Sequence, residues 1–123
     1  MDLKKLIKLD KEHIEKIKKF SESKIFATNS PLFYEGQTPV VAFLILDGSV
    51  NLTKNRKIKS TVRTGGLLGL KELMSNSPSS VSAEALPHTS VCFLDKSTVL
   101  EILKSQENDL SLLFKNICEL HAS

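Results

Sequence analysis

Thr64-Gly65-Gly66-Leu67-Leu68-Gly69-Leu70-Lys71-Glu72-Leu73-Met74, followed by Ser75-Asn76-Ser77-Pro78-Ser79-Ser80-Val81-Ser82-Ala83, decides the fold of this chain. Glycines bend the end of a strand into a short helix over Leu70–Ser75. Ser75-Asn76-Ser77-Pro78 breaks that helix, and a hydroxyl-rich loop returns to a strand. A strand–glycine–helix start exposes backbone N–H groups, which can hold an anion without side chains.

Working outward, the flanking sequence alternates. Lys24–Thr28 and Leu32–Tyr34 read as short strands separated by the turn Asn29-Ser30-Pro31, and Glu35-Gly36-Gln37 forms a further turn. The apolar run Val40–Leu46 reads as a buried strand. Asp47-Gly48 is the strongest hairpin signal in the chain. Ser49–Thr53 alternates after it, Asn55-Arg56 turns, and Lys57–Arg63 alternates again, with Ile58 and Val62 expected on one face. Val81–Leu86 and Ser90–Leu94 are strands around Pro87-His88. Strand signals at this spacing predict an all-β sandwich or barrel core.

Both ends are helical in pattern. Leu3, Leu6 and Ile7 fall at helical spacing, Asp10 reads as an N-cap, and Ile14, Ile17 and Phe20 continue a stripe. Glu12–Lys16 and Glu15–Lys19 are i,i+4 pairs in the favourable order. Val99, Leu100, Ile102 and Leu103 fit one C-terminal helix. Leu110, Leu113, Phe114 and Ile117 fit a second. Those four residues are the expected face for a partner, either the chain's own barrel or a twin helix in a homodimer. The expected fold is therefore mainly β: an antiparallel barrel or jelly roll over residues 23–95, after a helical lead-in over 1–22 and before two helices within 96–121. All 123 residues form one domain.

Composition removes several classes. Hydrophobic residues make up 41% and charged residues 25%, as in an ordinary globular chain. No apolar run approaches the ~20 residues of a membrane span, and no signal-peptide pattern follows Met1. Cys92 and Cys118 sit at apolar positions and read as small core residues, so a cytoplasmic location is expected. The histidines His13, His88 and His121 form no metal-ligand spacing. No serine lies in a nucleophile elbow, and the glycine segment lacks the Lys-Ser/Thr of a P-loop. An enzyme is not expected. Residues 1–71 carry fourteen Lys/Arg against seven Asp/Glu, whereas residues 72–123 carry three against seven. Lys54, Arg56, Lys57, Lys59, Arg63 and Lys71 stand in a stretch, 48–71, without a carboxylate beyond its flanks. Lys57, Lys59 and Arg63 would share one strand face and could steer an anionic partner or guard an edge strand. A DNA-reading helix-turn-helix would have to follow the terminal helix, so none is expected in this chain.

The order of elements, with Gly36, Gly48, Gly65 and Gly69 at its turns, resembles the cyclic nucleotide-binding domain family from roughly Leu3 to Leu120. Leu44-Ile45-Leu46-Asp47-Gly48-Ser49-Val50 is similar to that family's hydrophobic strand and turn, and Ala83-Glu84-Ala85 to its return strand. The family's phosphate-binding cassette reads approximately F-G-E-x-A-L, a short gap, then P-R-A. There, helix N–H groups and an arginine hold the cyclic phosphate, and the glutamate accepts from the ribose 2′-OH.

By that resemblance the cassette here comprises Gly69, Leu70, Lys71, Glu72, Ser79, Ser80, Val81 and Ser82. Leu70 stands in place of the glutamate and Ser79 in place of the arginine. Each lost charged hydrogen bond costs about 1.5–3 kcal/mol, so cAMP should bind several powers of ten more weakly. Glu72, about 200° around the helix from Leu70, does not replace the missing carboxylate. Lys71 could reach an anion from the rim, and Ser79, Ser80 and Ser82 could donate neutral hydrogen bonds. The resemblance implies a non-catalytic sensory module for a cyclic nucleotide or another small anion, with no cofactor, in which a bound ligand repositions the C-terminal helices. The alternative is a ligand-free dimerisation or protein-docking module of the same fold. In that case Leu70 and Met74 fill the ligand cavity.

Overall fold

The computed structural model describes residues 7–8, 11–19, 21–104 and 114. In chain order the elements are β1 (Ile7–Lys8), α1 (Lys11–Lys18), β2 (Ser23–Phe26), β3 (Ser30–Phe33), β4 (Val41–Asp47), β5 (Ser49–Lys54), β6 (Lys57–Arg63), β7 (Gly66–Leu68), α2 (Leu70–Ser75), β8 (Ser82–Ala85), β9 (Thr89–Asp95) and α3 (Lys96–Lys104). Two antiparallel sheets form a jelly roll. One has the order β1-β7-β4-β9-β2, the other β3-β8-β5-β6.

Of the run Val40–Leu46, all but exposed Val40 lies in a strand, β4, which extends to Asp47, is central in its sheet and buries Ala42, Phe43, Leu44 and Ile45. Because both faces of β4 are covered, its sequence is continuously apolar rather than alternating. One face, with Ala42 and Leu44, joins Cys92, Leu94, Val99 and Ile102 in a core beneath the helices. The other, with Phe43 and Ile45, meets Val50, Leu52, Ala83 and Ala85 between the sheets. Phe33 stacks on Phe43 at 6.1 Å, and Phe93 meets Phe43 edge-on at 5.6 Å.

Asp47-Gly48 is not a hairpin. β4 and β5 belong to different sheets, and Gly48, at φ +90°, is the corner between them. The Asp-Gly pair encodes a left-handed turn, but not which strand will pair afterwards. A Cβ on Gly48 would come within 2.6 Å of Thr89 Oγ1 and 2.8 Å of Thr89 Cα. That approach matters because Pro87-His88 makes the second sheet-switching corner, between β8 and β9. Buried Thr89 Oγ1 donates to the Ser49 carbonyl (2.9 Å) and accepts from the Ser49 N–H (3.1 Å). The Leu86 N–H donates to the same carbonyl at 3.0 Å. The two corners therefore lock each other.

Asn55-Arg56 is a true two-residue hairpin, with both residues at positive φ (53° and 66°). Its second strand carries a bulge: Leu52 pairs with Ser60 and Thr53 with Ile58, leaving Lys59 unpaired. The extra residue reverses the alternation. Val62 is buried while Ile58 is 63% exposed, so the two do not share a face. By the same shift Lys57 and Arg63 fall on opposite faces, which breaks the expected basic row.

At the N-terminal side, Ile7–Lys8 is a strand against Leu67 and Gly66, not part of a helix. The edge of β7 takes these residues by backbone pairing, which helical spacing alone does not reveal. In α1, Lys16 meets Glu12 at 3.6 Å as expected, but Glu15 meets Lys18 at 3.7 Å rather than Lys19. Lys19 lies in the turn past the helix end, outside the i,i+4 geometry. Asp10, Phe20 and Cys118 lie outside the described residues, as does all of the second C-terminal helix except Phe114. Phe114 is helical and fully buried in the core with Ile17, Leu70, Leu73 and Ile102.

Candidate functional site

β7 is three buried residues, too short to do more than deliver the chain to Gly69. Gly69 is the N-cap of α2 at φ +79° and ψ +4° and offers no side-chain cap. The first N–H groups of α2 have no carbonyl one turn earlier to bond, and no cap satisfies them. A Cβ at Gly69 would stand 3.7 Å from Phe33 Cε2, Pro39 Cγ and the Val41 carbonyl, so these atoms mark the wall beside the bend. Asn76 ends the helix in the left-handed conformation at φ +54°, its N–H on the Glu72 carbonyl. The Ser77 N–H bonds the same carbonyl at 3.0 Å. Polar asparagine tolerates this conformation, which is why Ser-Asn-Ser-Pro stops the helix cleanly.

The returning loop is held from outside by the β3–β4 turn. The Gly36 N–H donates to the Ser79 carbonyl (2.7 Å), and the Ser79 N–H donates to the Gln37 carbonyl (2.8 Å). The Glu35 N–H donates to Ser82 Oγ (2.8 Å). Gln37 Oε1 accepts from the Tyr34 N–H at 3.0 Å, and Glu35 Oε1 accepts from the Asn55 N–H at 3.2 Å. Thus one turn braces both the cassette loop and the β5–β6 hairpin.

Within this frame the eight candidate residues divide. Leu70 is buried and belongs to the core under the helices, with Leu73 beside it and Met74 packed against it. Ser79 is buried, and its hydroxyl closes on its own loop: it donates to the Val81 carbonyl at 2.7 Å and accepts from the Val81 N–H at 3.2 Å. Val81 is buried in the inter-sheet core. Ser80, Ser82 and Lys71 are half-buried. Glu72 is 8% exposed, which the sequence reading did not anticipate. No group of three His, Cys, Asp or Glu that would suit a metal occurs among the described residues. No described helix is long and apolar enough to cross a membrane. Of the expected partner face, Phe114 is enclosed in this chain's own core, while Leu110, Leu113 and Ile117 lie outside the described residues.

At the start of α3, Asp95 Oδ1 accepts from the Thr98 N–H at 2.7 Å. Hydrogen bonds from the Thr98 backbone and then its side chain hold the Asp95 carboxyl below the usual aspartate value. Asp95 three residues before Thr98 is a helix-start signature present in the sequence.

A jelly roll interrupted by a glycine-capped helix and a braced loop defines a class of β-barrel ligand-sensing domains. The family model for the cyclic nucleotide-binding domain matches residues 23–106, and the chain belongs to that family. No relative among curated proteins matches the sequence. Solved structures share the fold at low identity. The catabolite activator protein of Thermus thermophilus is 22% identical, with a TM-score of 0.72 over 93% of this chain and 54% of that one. A protein from a cyclic-GMP-dependent signalling pathway that regulates bacterial phytopathogenesis is 14% identical, with a TM-score of 0.78 over 93% and 94%. The N-terminal domain of a transcriptional regulator from Streptomyces coelicolor is 18% identical, with a TM-score of 0.68 over 86% and 79%. This chain thus spans about half the length of the catabolite activator protein and nearly all of the second structure.

Proposed function

We propose that this chain is a non-catalytic, cytoplasmic sensory module whose cassette binds cyclic nucleotides weakly or takes a different small ligand. The observation that carries the reading is a mismatch between backbone and side chains. The backbone keeps a left-handed glycine, a two-turn helix and a loop bracketed at Ser79. The side chains at the two positions expected to be ionic are taken up within the chain. Leu70 goes into the core, and the Ser79 hydroxyl is used by Val81. A ligand here would rely on the N–H groups at the start of α2, on Ser80 and on Lys71.

Coupling to output has a direct route. Leu70 and Leu73 of α2 share one core with Val99 and Ile102 of α3 and with Phe114. Movement of α2 on binding would be felt by the C-terminal segment, because packed cores transmit displacement. Leu110, Leu113 and Ile117 remain the proposed face for a homodimer or protein partner, with Phe114 as the inward anchor of the same segment.

A second reading is favoured by one observation: Leu70 and Met74 pack against the core, as expected if the ligand cavity is filled. On that reading the chain is a docking module that needs no small molecule. A thermal-shift panel of cAMP, cGMP, cyclic dinucleotides and linear nucleotides separates the two. A ligand that binds only the folded state raises the melting temperature. The sensory reading expects at least one compound to do so. Flat curves for all of them at millimolar concentration contradict it and favour docking.

A further inference from the structure

β6 is the edge of its sheet: it pairs with β5 on one side and with no described residue on the other. Such an edge leaves backbone N–H and C=O groups free to pair with a further strand. Lys54, Arg56, Lys57, Lys59 and Arg63 stand along it and at its hairpin tip. All five are exposed, and none makes an ion pair with a described residue. The register divides the strand's charges between two faces. Val62 pairs with Val50 and is turned into the core, so its neighbour Arg63 lies on the outer face. The bulge at Lys59 puts Ile58 on that outer face as well and Lys57 on the opposite one. Ile58 is the exposed large apolar side chain of this hairpin. The hairpin tip already takes one carboxylate of its own chain, because the Asn55 N–H donates to Glu35 Oε1 at 3.2 Å.

We propose that the β6 edge is a docking surface for an acidic, extended segment of a partner protein. The segment adds as a strand beside β6, with its carboxylates on Lys57, Lys59 and Arg63 and an apolar side chain over Ile58. Lysines and a bulge also guard a sheet edge, but a guard has no use for an exposed isoleucine. The guard acts against like partners, since a second β6 would set lysine against lysine. The same charges admit a partner of opposite sign. An added strand presents alternate side chains to both faces and so reaches cations on both, whereas a flat lipid surface meets one face. Residues 48–71 hold no aromatic side chain on which a base could stack. A nucleic acid would therefore find phosphate contacts alone and leave Ile58 unused. The proposal stands whether or not the cassette takes a ligand.

The probe is a fluorescein-labelled peptide of about nine residues, the length of a long strand, with glutamates on both faces of its extended form and a central valine. Comparison probes are the same peptide with lysine for glutamate, an oligothymidine of matching length, and phosphatidylserine vesicles read by co-sedimentation. Anisotropy follows binding to the full chain at up to about 1 mM protein, and slowed exchange of the β6 amides reports strand addition. Lys57→Glu and Arg63→Glu together reverse a charge on each face, and Ile58→Ser removes the apolar contact. These side chains are exposed, so the variants should fold as wild type does. The acidic peptide should bind and slow the β6 amides, and the lysine peptide should do neither. Charge reversal should weaken binding by about tenfold or more, and Ile58→Ser by about threefold to tenfold. No binding of the acidic peptide overturns the proposal, as does binding that Ile58→Ser leaves unchanged without slowed exchange. Tighter binding of oligothymidine or vesicles, lost on charge reversal, also overturns it and assigns the surface to nucleic acid or membrane.

Discussion

Thr89 Oγ1 bonds both the N–H and the carbonyl of Ser49 across a gap that exists because Gly48 has no side chain. Thr89→Val removes a donor and an acceptor from a fully buried position and should cost about 1–3 kcal/mol in chemical denaturation. Gly48 and Gly69 separate two costs of a left-handed residue. Gly69→Ala meets only ordinary contacts at 3.7 Å, so backbone strain alone applies, about 1–2 kcal/mol. Gly48→Ala adds a collision with Thr89 Cα, which is backbone and cannot swing away, and should cost about 3–5 kcal/mol. Equal losses for the two variants in urea melts would mean that the corner yields freely. Asp95 sets a pH dependence of known sign. Its carboxyl titrates below its unfolded value, so its contribution is complete above that value and fades as pH falls through the folded one. The stability difference between wild type and Asp95→Asn should accordingly shrink in acid denaturation series below the usual aspartate range.

At the scale of elements, the sequence was legible where local chemistry suffices. Asn55-Arg56 made its hairpin, Val41–Asp47 its buried strand, and Leu70–Ser75 its short helix with an asparagine stop. It was misleading where the partner of a strand is chosen by the rest of the chain. Asp47-Gly48 specifies a turn in either a hairpin or a corner, and only the pairing of β5 with β8 and β6 decides which. Ile7 and Lys8 show no strand signal in isolation, because their reason for being extended is the edge of β7. The bulge at Lys59 moves Ile58 to the opposite face from Val62, and nothing in the alternation predicts it. Phe114 makes a direct claim on the C-terminal segment. Of the two expected places for it, the chain's own barrel or a twin helix, it takes the first, buried with α1, α2 and α3. Phe114→Ala should lower the unfolding free energy by about 3–5 kcal/mol, seen as a lower urea midpoint at unchanged slope. A change below about 1 kcal/mol would place that ring outside the core.

For the molecule as a whole, the family was legible because turn glycines recur in a fixed order along the chain, and the match over residues 23–106 agrees with that order. The state of the cassette was only half legible. That Leu70 and Ser79 stand in place of the family's glutamate and arginine is what the resemblance implies, and the destinations of the two side chains are not in the sequence. That Leu70 enters the core, that Ser79 satisfies itself on Val81, and that Glu72 is largely buried all depend on how α2 and the loop after it pack in the folded chain.

The central claim is that an anion-cradling bend persists here without the ionic contacts that make cyclic nucleotide capture tight. Calorimetric titration of the full chain with cAMP tests it most directly. The expected result is no saturable heat at cAMP concentrations up to about 1 mM. A micromolar or tighter dissociation constant, lost when Gly69 is replaced by a bulky residue, would contradict it.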